Sequence, residues 1–223
     1  MHFEVLVEDQ SGKHTLDILI PKIIGSEHSF KVRAYRGIGH IPSNLTSNVG
    51  VSSHLLLNAL PKMLRAYGKT FAGDPKNYPA AVIVVCDLDD KCLKIFRQEL
   101  FRVLNACNPR PVTRFCIAIE EGEAWLLGDI PAIKTAYPNA RDNVLNGYTN
   151  DAICGTWELL ADAISQGGAT GLKNKGWQAV GKEKSIWATR IAPHMNINNN
   201  KSPSFCYFRQ KIQELMGYSG ART

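Results

Sequence analysis

Three aspartates fall within four positions, Asp87, Asp89 and Asp90, directly behind a seven-residue apolar run at 80–86 (AAVIVVC). Carboxylates two residues apart at the exit of a strand can reach one hard cation, and oxygen donors with room for water suit Mg2+ or Mn2+. Like charges this close repel unless a cation or solvent neutralises them, which favours a metal role for Asp87 and Asp89. The competing reading is an acidic turn in which Asp89 or Asp90 caps the following helix. Two further acid groups also sit at the end of apolar runs. Glu8 closes HFEVLVE at 2–8, and Glu120, Glu121 and Glu123 follow VTRFCIAI at 112–119. Their plain alternatives are a solvent-facing turn for Glu8 and a helix start for 120–123.

The elements that must position these acids follow from periodicity. Strands are predicted at 2–8, 30–35, 80–86 and 112–119, with the third buried on both faces because its apolar run is unbroken. Helical spacing at Leu16, Leu19, Ile20, Ile23 and Ile24 predicts a helix over 13–24. A second is predicted over 52–67, with Pro61 kinking it or moving its start. A third, over 91–107, has Leu93, Phe96, Leu100, Val103 and Leu104 on one face. This alternation predicts an α/β fold: a Rossmann-like parallel sheet flanked by helices, whose ligands bind outside the carboxyl ends of the strands. From residue 130 the pattern loosens through Pro131, Pro138, a helix near 157–164 and a Gly- and Lys-rich stretch at 167–181. Residues 130–183 read as a peripheral helical insertion in a single domain spanning 1–223. Closing helices are predicted at 184–194 and 204–216, the second started by Ser202-Pro203.

Composition narrows the function classes. The chain has 223 residues, 44% hydrophobic and 21% charged, with no repeat or low-complexity tract, so collagen-like, mucin-like and coiled-coil readings are excluded. The longest apolar run is far short of the roughly 20 residues of a membrane span, and the N-terminus lacks a signal peptide's basic start. A cytoplasmic protein without membrane association is expected. Six scattered cysteines without a Cys-x-x-Cys pair read as reduced thiols, and the sequon at 44–46 reads as chance. Lys plus Arg outnumber Asp plus Glu by 26 to 20, a balance that permits a polyanionic partner.

The three acid groups, at Glu8, at Asp87 and Asp89, and at Glu120, Glu121 and Glu123, together resemble the Toprim fold. That fold is the metal-binding module of type II topoisomerases, primases and overcoming-lysogenization-defect nucleases. More narrowly, Val7-Glu8-Asp9-Gln10-Ser11, Cys86-Asp87-Leu88-Asp89, Glu123-Ala124-Trp125-Leu126-Leu127-Gly128-Asp129 and Lys201-Ser202-Pro203-Ser204-Phe205 look like a Toprim-related family of unknown function found beside ATPases in bacterial phage-defence cassettes of the PARIS type. The resemblance implies that Glu8, Asp87 and Asp89 hold Mg2+ or Mn2+, and that Glu123 is a further ligand or its orienter. Lys184 matches the nuclease-branch lysine, with Lys182 as the fallback. It also implies a metal-dependent endonuclease acting on DNA or structured RNA such as tRNA. Such a protein would be the toxic, abortive-infection effector of an antiviral defence system, controlled by an ATPase partner. A homodimer is expected for the active form. One departure stands out: the family pattern has Gly after the first Glu and a second Glu three positions later, where this chain has Asp9 and Gly12. That departure leaves open one metal or two, and it motivates an alternative in which the chain is a catalytically silent binding subunit of an ATPase complex.

Two other motifs compete. A strand followed by Asp-x-Asp also resembles the nucleophile loop of haloacid-dehalogenase-like phosphatases, in which Asp87 would attack phosphorus. Residues 176–182 (GWQAVGK) fit most of a P-loop, but Glu183 stands where a Ser or Thr should hold Mg2+. Basic residues supply candidate nucleic-acid contacts at Arg36, Lys173, Lys175, Lys182 and Arg190, interleaved with Trp177 and Trp187. The alternative for this stretch is a solvated loop with core tryptophans.

Overall fold

The computed structural model describes residues 1–45, 54–73, 79–152 and 155–217. Cys154, Thr46 of the sequon and the expected helix start at 52–53 lie outside the described residues. Four strands, β1 (His2–Val7), β2 (Ser29–Ala34), β3 (Ala80–Asp87) and β4 (Thr113–Ala118), form one sheet in the order β2-β1-β3-β4, every pair parallel. The α/β sandwich expected from the sequence is thus present, with β3 interior and covered on both faces.

Strand periodicity sorts the side chains into two cores. Phe3, Val5 and Val7 of β1 join Ala81, Ile83 and Val85 of β3 beneath α1 (Gln10–Ile24). Leu6 of β1 joins Val82, Val84 and Cys86 of β3 beneath α2 (Leu56–Gly73) and α3 (Leu93–Asn105). Helix α2 begins later than residue 52, as Pro61 suggested; its first amides, on Leu56 and Leu57, donate to the carbonyls of Gly37 and Ile38.

After β4 come α4 (Glu123–Leu127), α5 (Ile130–Ala136), α6 (Asp142–Leu145), α7 (Thr156–Ile164), α8 (Gly168–Lys173), α9 (Trp177–Ile191) and α10 (Pro203–Leu215). Of residues 130–183, expected as a peripheral insertion, the described part forms α5 to α8 and the start of α9. Ile133, Trp157, Leu160, Leu172 and Val180 are buried in the same cluster as Leu19 and Ile83. Helix α9 starts seven residues before the expected 184, because Val180, Trp187 and Ile191 continue one buried stripe through Gly181, a residue that costs a helix about 1 kcal/mol relative to Ala. Helix α10 begins as predicted: Ser202 is its N-cap, its hydroxyl accepting from the Phe205 amide at 3.2 Å.

Two latches tie this layer together. The Lys22 ammonium, in the last turn of α1, donates to the carbonyls of Ala192, Pro193 and Met195 at the end of α9. Asp151 accepts from the Ser202 hydroxyl at 2.8 Å and the Ser204 amide at 2.6 Å, so the Lys201–Phe205 motif anchors α10. Within the sheet, the Glu4 carboxylate accepts from Arg33 Nε at 3.1 Å and from the Tyr67 hydroxyl at 2.9 Å, which is how a carboxylate in the middle of β1 is tolerated.

Candidate functional site

Because β1 and β3 are parallel neighbours, their carboxyl ends bring Glu8 and Asp87 side by side. Glu8 Oε2 accepts a hydrogen bond from the Asp87 amide at 3.1 Å. Asp87 continues the odd-numbered face of Ile83 and Val85, which puts its side chain on the α1 side of the sheet. The cavity there, about 30 Å3, is lined by Glu8, Asp9, Asp87, Glu123 and Lys184 together with Gly12, Trp125 and Leu126. A volume of that size holds a water or two, or a small ion, in a setting of four carboxylates and one ammonium.

Lys184 projects from α9 into this cluster. Its Nζ lies 2.9 Å from Glu123 Oε2 and 3.6 Å from Glu121 Oε1. Glu123, the first residue of α4, is buried. The sequence-derived quartet of Glu8, Asp87, Glu123 and Lys184 is therefore brought together.

The electrostatics reflect the crowding. Burial, reinforced by the charges of Asp9 and Asp89, pushes the Glu8 carboxyl up to about 7, against the Asp87 amide and Lys184. Burial and then Glu8 drive Asp87 well above the usual carboxylate range, with Lys184 pulling it back. Burial also raises Glu123, again opposed by Lys184. Burial works against the charge of Lys184 itself, but Glu123, Glu121 and Asp87 outweigh it and hold the ammonium above the ordinary lysine range. Acids are thus in excess over positive charge at one enclosed point.

Asp89 is placed differently. It adopts a left-handed backbone (φ 51°), and its carboxylate pairs with Lys91 at 2.8 Å on the exposed side of the turn. It does not cap α3, whose N-cap is Cys92 without a side-chain hydrogen bond. Asp9 is the N-cap of α1; its two oxygens accept from the Gly12 amide and the Ser11 hydroxyl, both at 2.7 Å. At Gly12, where the resemblance expects a second Glu, an added Cβ would lie 2.7 Å from Val7 Cγ2, so a side chain there would require Val7 or the helix to shift.

Glu120 and Glu121 do not start the next helix alone. Glu120, at φ 64°, accepts from the amides of Gly155 and Thr156, and Glu121 accepts from the Thr156 hydroxyl and the Trp157 amide, both at 3.3 Å. They cap α7 from more than thirty residues away, where its amides and dipole favour negative charge. Glu121 so joins α7, α9 and the cavity; burial raises its carboxyl to about 7 despite Lys184. Sequence reasoning grouped Glu121 with the acids but had no signal for its contact with Lys184.

The basic candidates do not converge on the cavity. Lys182 and Arg190 are exposed and, at 100° per residue, lie more than a quarter turn around α9 from Lys184. Arg190 lies over the Tyr137 ring. Lys173 pairs with Glu158 at 3.1 Å and lies over the Trp157 ring. Lys175 is exposed just before α9, and Arg36 is exposed just after β2. The P-loop-like stretch 176–182 is helical from Trp177 onward and forms no phosphate-cradling loop. A larger cleft of about 420 Å3, bordered by Leu93, Arg97, Ile117, Asn150 and Tyr207, contains one carboxylate, Asp151, already engaged by Ser202 and Ser204.

The donor set suits a hard divalent cation: Glu8 and Asp87 offer oxygens, their charge is under-neutralised, and the cavity admits a small ion. Among the described residues no three acid, His or Cys side chains already stand in a coordinating arrangement. The reason is visible in the contacts: Asp9 serves a helix cap, Asp89 turns to Lys91, and Glu123 is held by Lys184. Among the described residues no helix is long and apolar enough to cross a membrane. No family model, no curated protein and no solved structure matches this chain.

Proposed function

We propose that this chain is a metal-dependent nuclease whose centre is the Glu8, Asp87, Glu123 and Lys184 cluster. The observation that carries this reading is the meeting of Glu8 and Asp87 at the carboxyl ends of adjacent parallel strands, with Lys184 as the one ammonium lining the cavity. Glu8 and Asp87 would hold Mg2+ or Mn2+, with Asp89 joining them if released from Lys91. Such an ion polarises a phosphate and lowers the pKa of bound water. Lys184 supplies positive charge beside the site where negative charge develops on phosphorus oxygens, and Glu123 and Glu121 orient it. The resemblance to Toprim-related defence proteins extends the proposal to a toxic anti-phage effector acting on DNA or tRNA under the control of an ATPase partner.

The test is cleavage of plasmid DNA and total tRNA by the purified protein with Mg2+ or Mn2+, comparing wild type with Asp87→Asn. Metal-dependent cutting that the substitution abolishes supports the reading; cutting that survives it excludes Asp87 from the chemistry.

A second reading is favoured by Gly12, where the family's second Glu is absent and an added side chain would crowd Val7. In it the chain is a binding subunit without turnover. Glu8→Gln and Asp87→Asn would then leave defence or toxicity intact. A haloacid-dehalogenase-like role for Asp87 would instead give a covalent aspartyl-phosphate on Asp87 and release phosphate from monoesters.

A further inference from the structure

Among the described residues, β4 ends the sheet and pairs along one side alone, with β3. The Val112 carbonyl accepts from the Val82 amide before that pairing, and the Ala118 carbonyl accepts from the Leu88 amide at its end. The even-numbered residues of β4 thus direct their amides and carbonyls to β3, and the odd-numbered ones, by the alternation of a strand, direct theirs out of the sheet. Both ends of that outward row are occupied. The Thr113 carbonyl accepts from Arg114 at 3.1 Å, and the Ile119 amide donates to the Ser204 hydroxyl at 3.5 Å. Between them the amides and carbonyls of Phe115 and Ile117 have no hydrogen-bond partner among the described residues. They open into the cleft of about 420 Å3. Its walls come from opposite faces of the sheet, Leu93 and Arg97 of α3 on one side and Pro203 and Tyr207 of α10 on the other, so the strand edge is its floor. The α3 wall is apolar and exposed: Leu93 is 37% and Phe101 39% exposed, the latter edge-on to the Phe115 ring at 5.4 Å. At the far end Asn150 Oδ1 is buried without a hydrogen-bond partner. The cleft's free charge is positive. Asp151 is engaged by Ser202 and Ser204, whereas exposed Arg97 lies over the Tyr207 ring at 5.9 Å and meets no carboxylate among the described residues.

We propose that the open edge of β4 is a docking groove for an extended, acidic segment of a partner protein, which adds a strand to the sheet beside β4. The segment's backbone exchanges hydrogen bonds with Phe115 and Ile117, while alternate side chains meet the apolar α3 wall. From Phe115 to Ile119 the edge runs about 13 Å, room for about five residues. Arg97 parts from Tyr207 to take an acidic side chain and rejects a basic one. Asn150 Oδ1 accepts from a donor on the segment. A second copy of this chain is the poorer occupant, because the edge it would offer, TRFCIA at Thr113–Ala118, brings Arg114 and no acid. The groove is built by β4, α3 and α10 and does not rest on the nuclease reading.

The experiment is anisotropy of the full chain with a labelled heptapeptide that alternates valine and aspartate. Beside it run the same peptide with lysine for aspartate and two forms N-methylated at the odd or the even backbone amides. Hydrogen exchange is read on the free and the peptide-bound chain. The acidic peptide is expected to bind, to slow exchange at the Phe115 and Ile117 amides, and to lose binding in one of its two methylated forms, since one row of its amides faces β4. Arg97→Glu, a change at an exposed position, is expected to weaken the acidic peptide at least about tenfold and to admit the lysine peptide. No binding of the acidic peptide, equal binding of the acidic and lysine peptides, unchanged binding in Arg97→Glu, or protection away from β4 overturns the groove. Sedimentation at rising protein concentration covers the remaining occupant: a dimer whose formation protects Phe115 and Ile117 makes a second copy the occupant and overturns the partner segment. Docking as described, combined with no cleavage of DNA or tRNA, supports the groove and counts against the nuclease. Asp87-dependent cleavage without docking does the reverse.

Discussion

Lys184 Nζ and Glu123 Oε2 stand 2.9 Å apart, a buried ion pair joining the middle of α9 to the first residue of α4 at the mouth of the sheet. Removing one partner strands the other charge. Lys184→Met is expected to destabilise the protein by about 3–5 kcal/mol, and the double variant with Glu123→Gln by less than the sum of the two single changes. Urea denaturation of the four proteins measures the coupling.

Asp87→Asn should separate stability from activity. It removes a carboxylate that Glu8 and Glu123 repel, so thermal stability at pH 8 without metal should stay level or rise, while metal-dependent cleavage falls by about 100-fold or more. Melting and cleavage assays on one preparation check both directions. A parallel loss of both would mean that Asp87 is structural.

The pH dependence of stability has a definite sign. Glu8 and Glu121 titrate near 7 in the folded protein, above their ordinary value of 4.5, so the folded state holds more protons between these limits. Their contribution is complete below about pH 4.5 and is lost as pH rises through 7. The midpoint of thermal unfolding should therefore fall from pH 5 to pH 8 in EDTA. Glu8→Gln should flatten the fall, and millimolar Mg2+ should raise the midpoint most at pH 8, where the acids are ionised. Differential scanning fluorimetry across pH, with and without metal, provides the readout.

Glu120 accepts the Gly155 and Thr156 amides at the start of α7. Glu120→Ala is expected to cost about 1–2 kcal/mol, with faster amide exchange concentrated in α7. Hydrogen–deuterium exchange locates the effect; exchange spread evenly over the sheet would contradict it.

Strand and helix types were legible wherever one period ran unbroken. The run at 80–86 became β3, and Leu16, Leu19 and Ile20 became the buried face of α1. Glu8 and Asp87 could be paired in advance because parallel strands end on the same side. Contacts that depend on distant chain segments were not legible. Nothing local in Glu120-Glu121 marks them as caps for a helix beginning at Thr156, and nothing in Asp89 tells that a left-handed turn aims it at Lys91. Gly181 and the lysines around it disguised the first half of α9 as a loop, since the stripe of Val180, Trp187 and Ile191 is sparse.

The Lys22 clamp on the carbonyls of Ala192, Pro193 and Met195 fixes the carboxyl end of α9 against α1. One end is pinned to α1, and the other, at Trp177, overhangs solvent. At 1.5 Å per residue, Lys184 lies about 12 Å from the clamp and Trp177 about 22 Å. Between those points Val180, Trp187 and Ile191 are buried and Lys184 is paired with Glu123, so the helix is held along its length and any strain entering at its amino end meets the acid cluster before it meets the clamp.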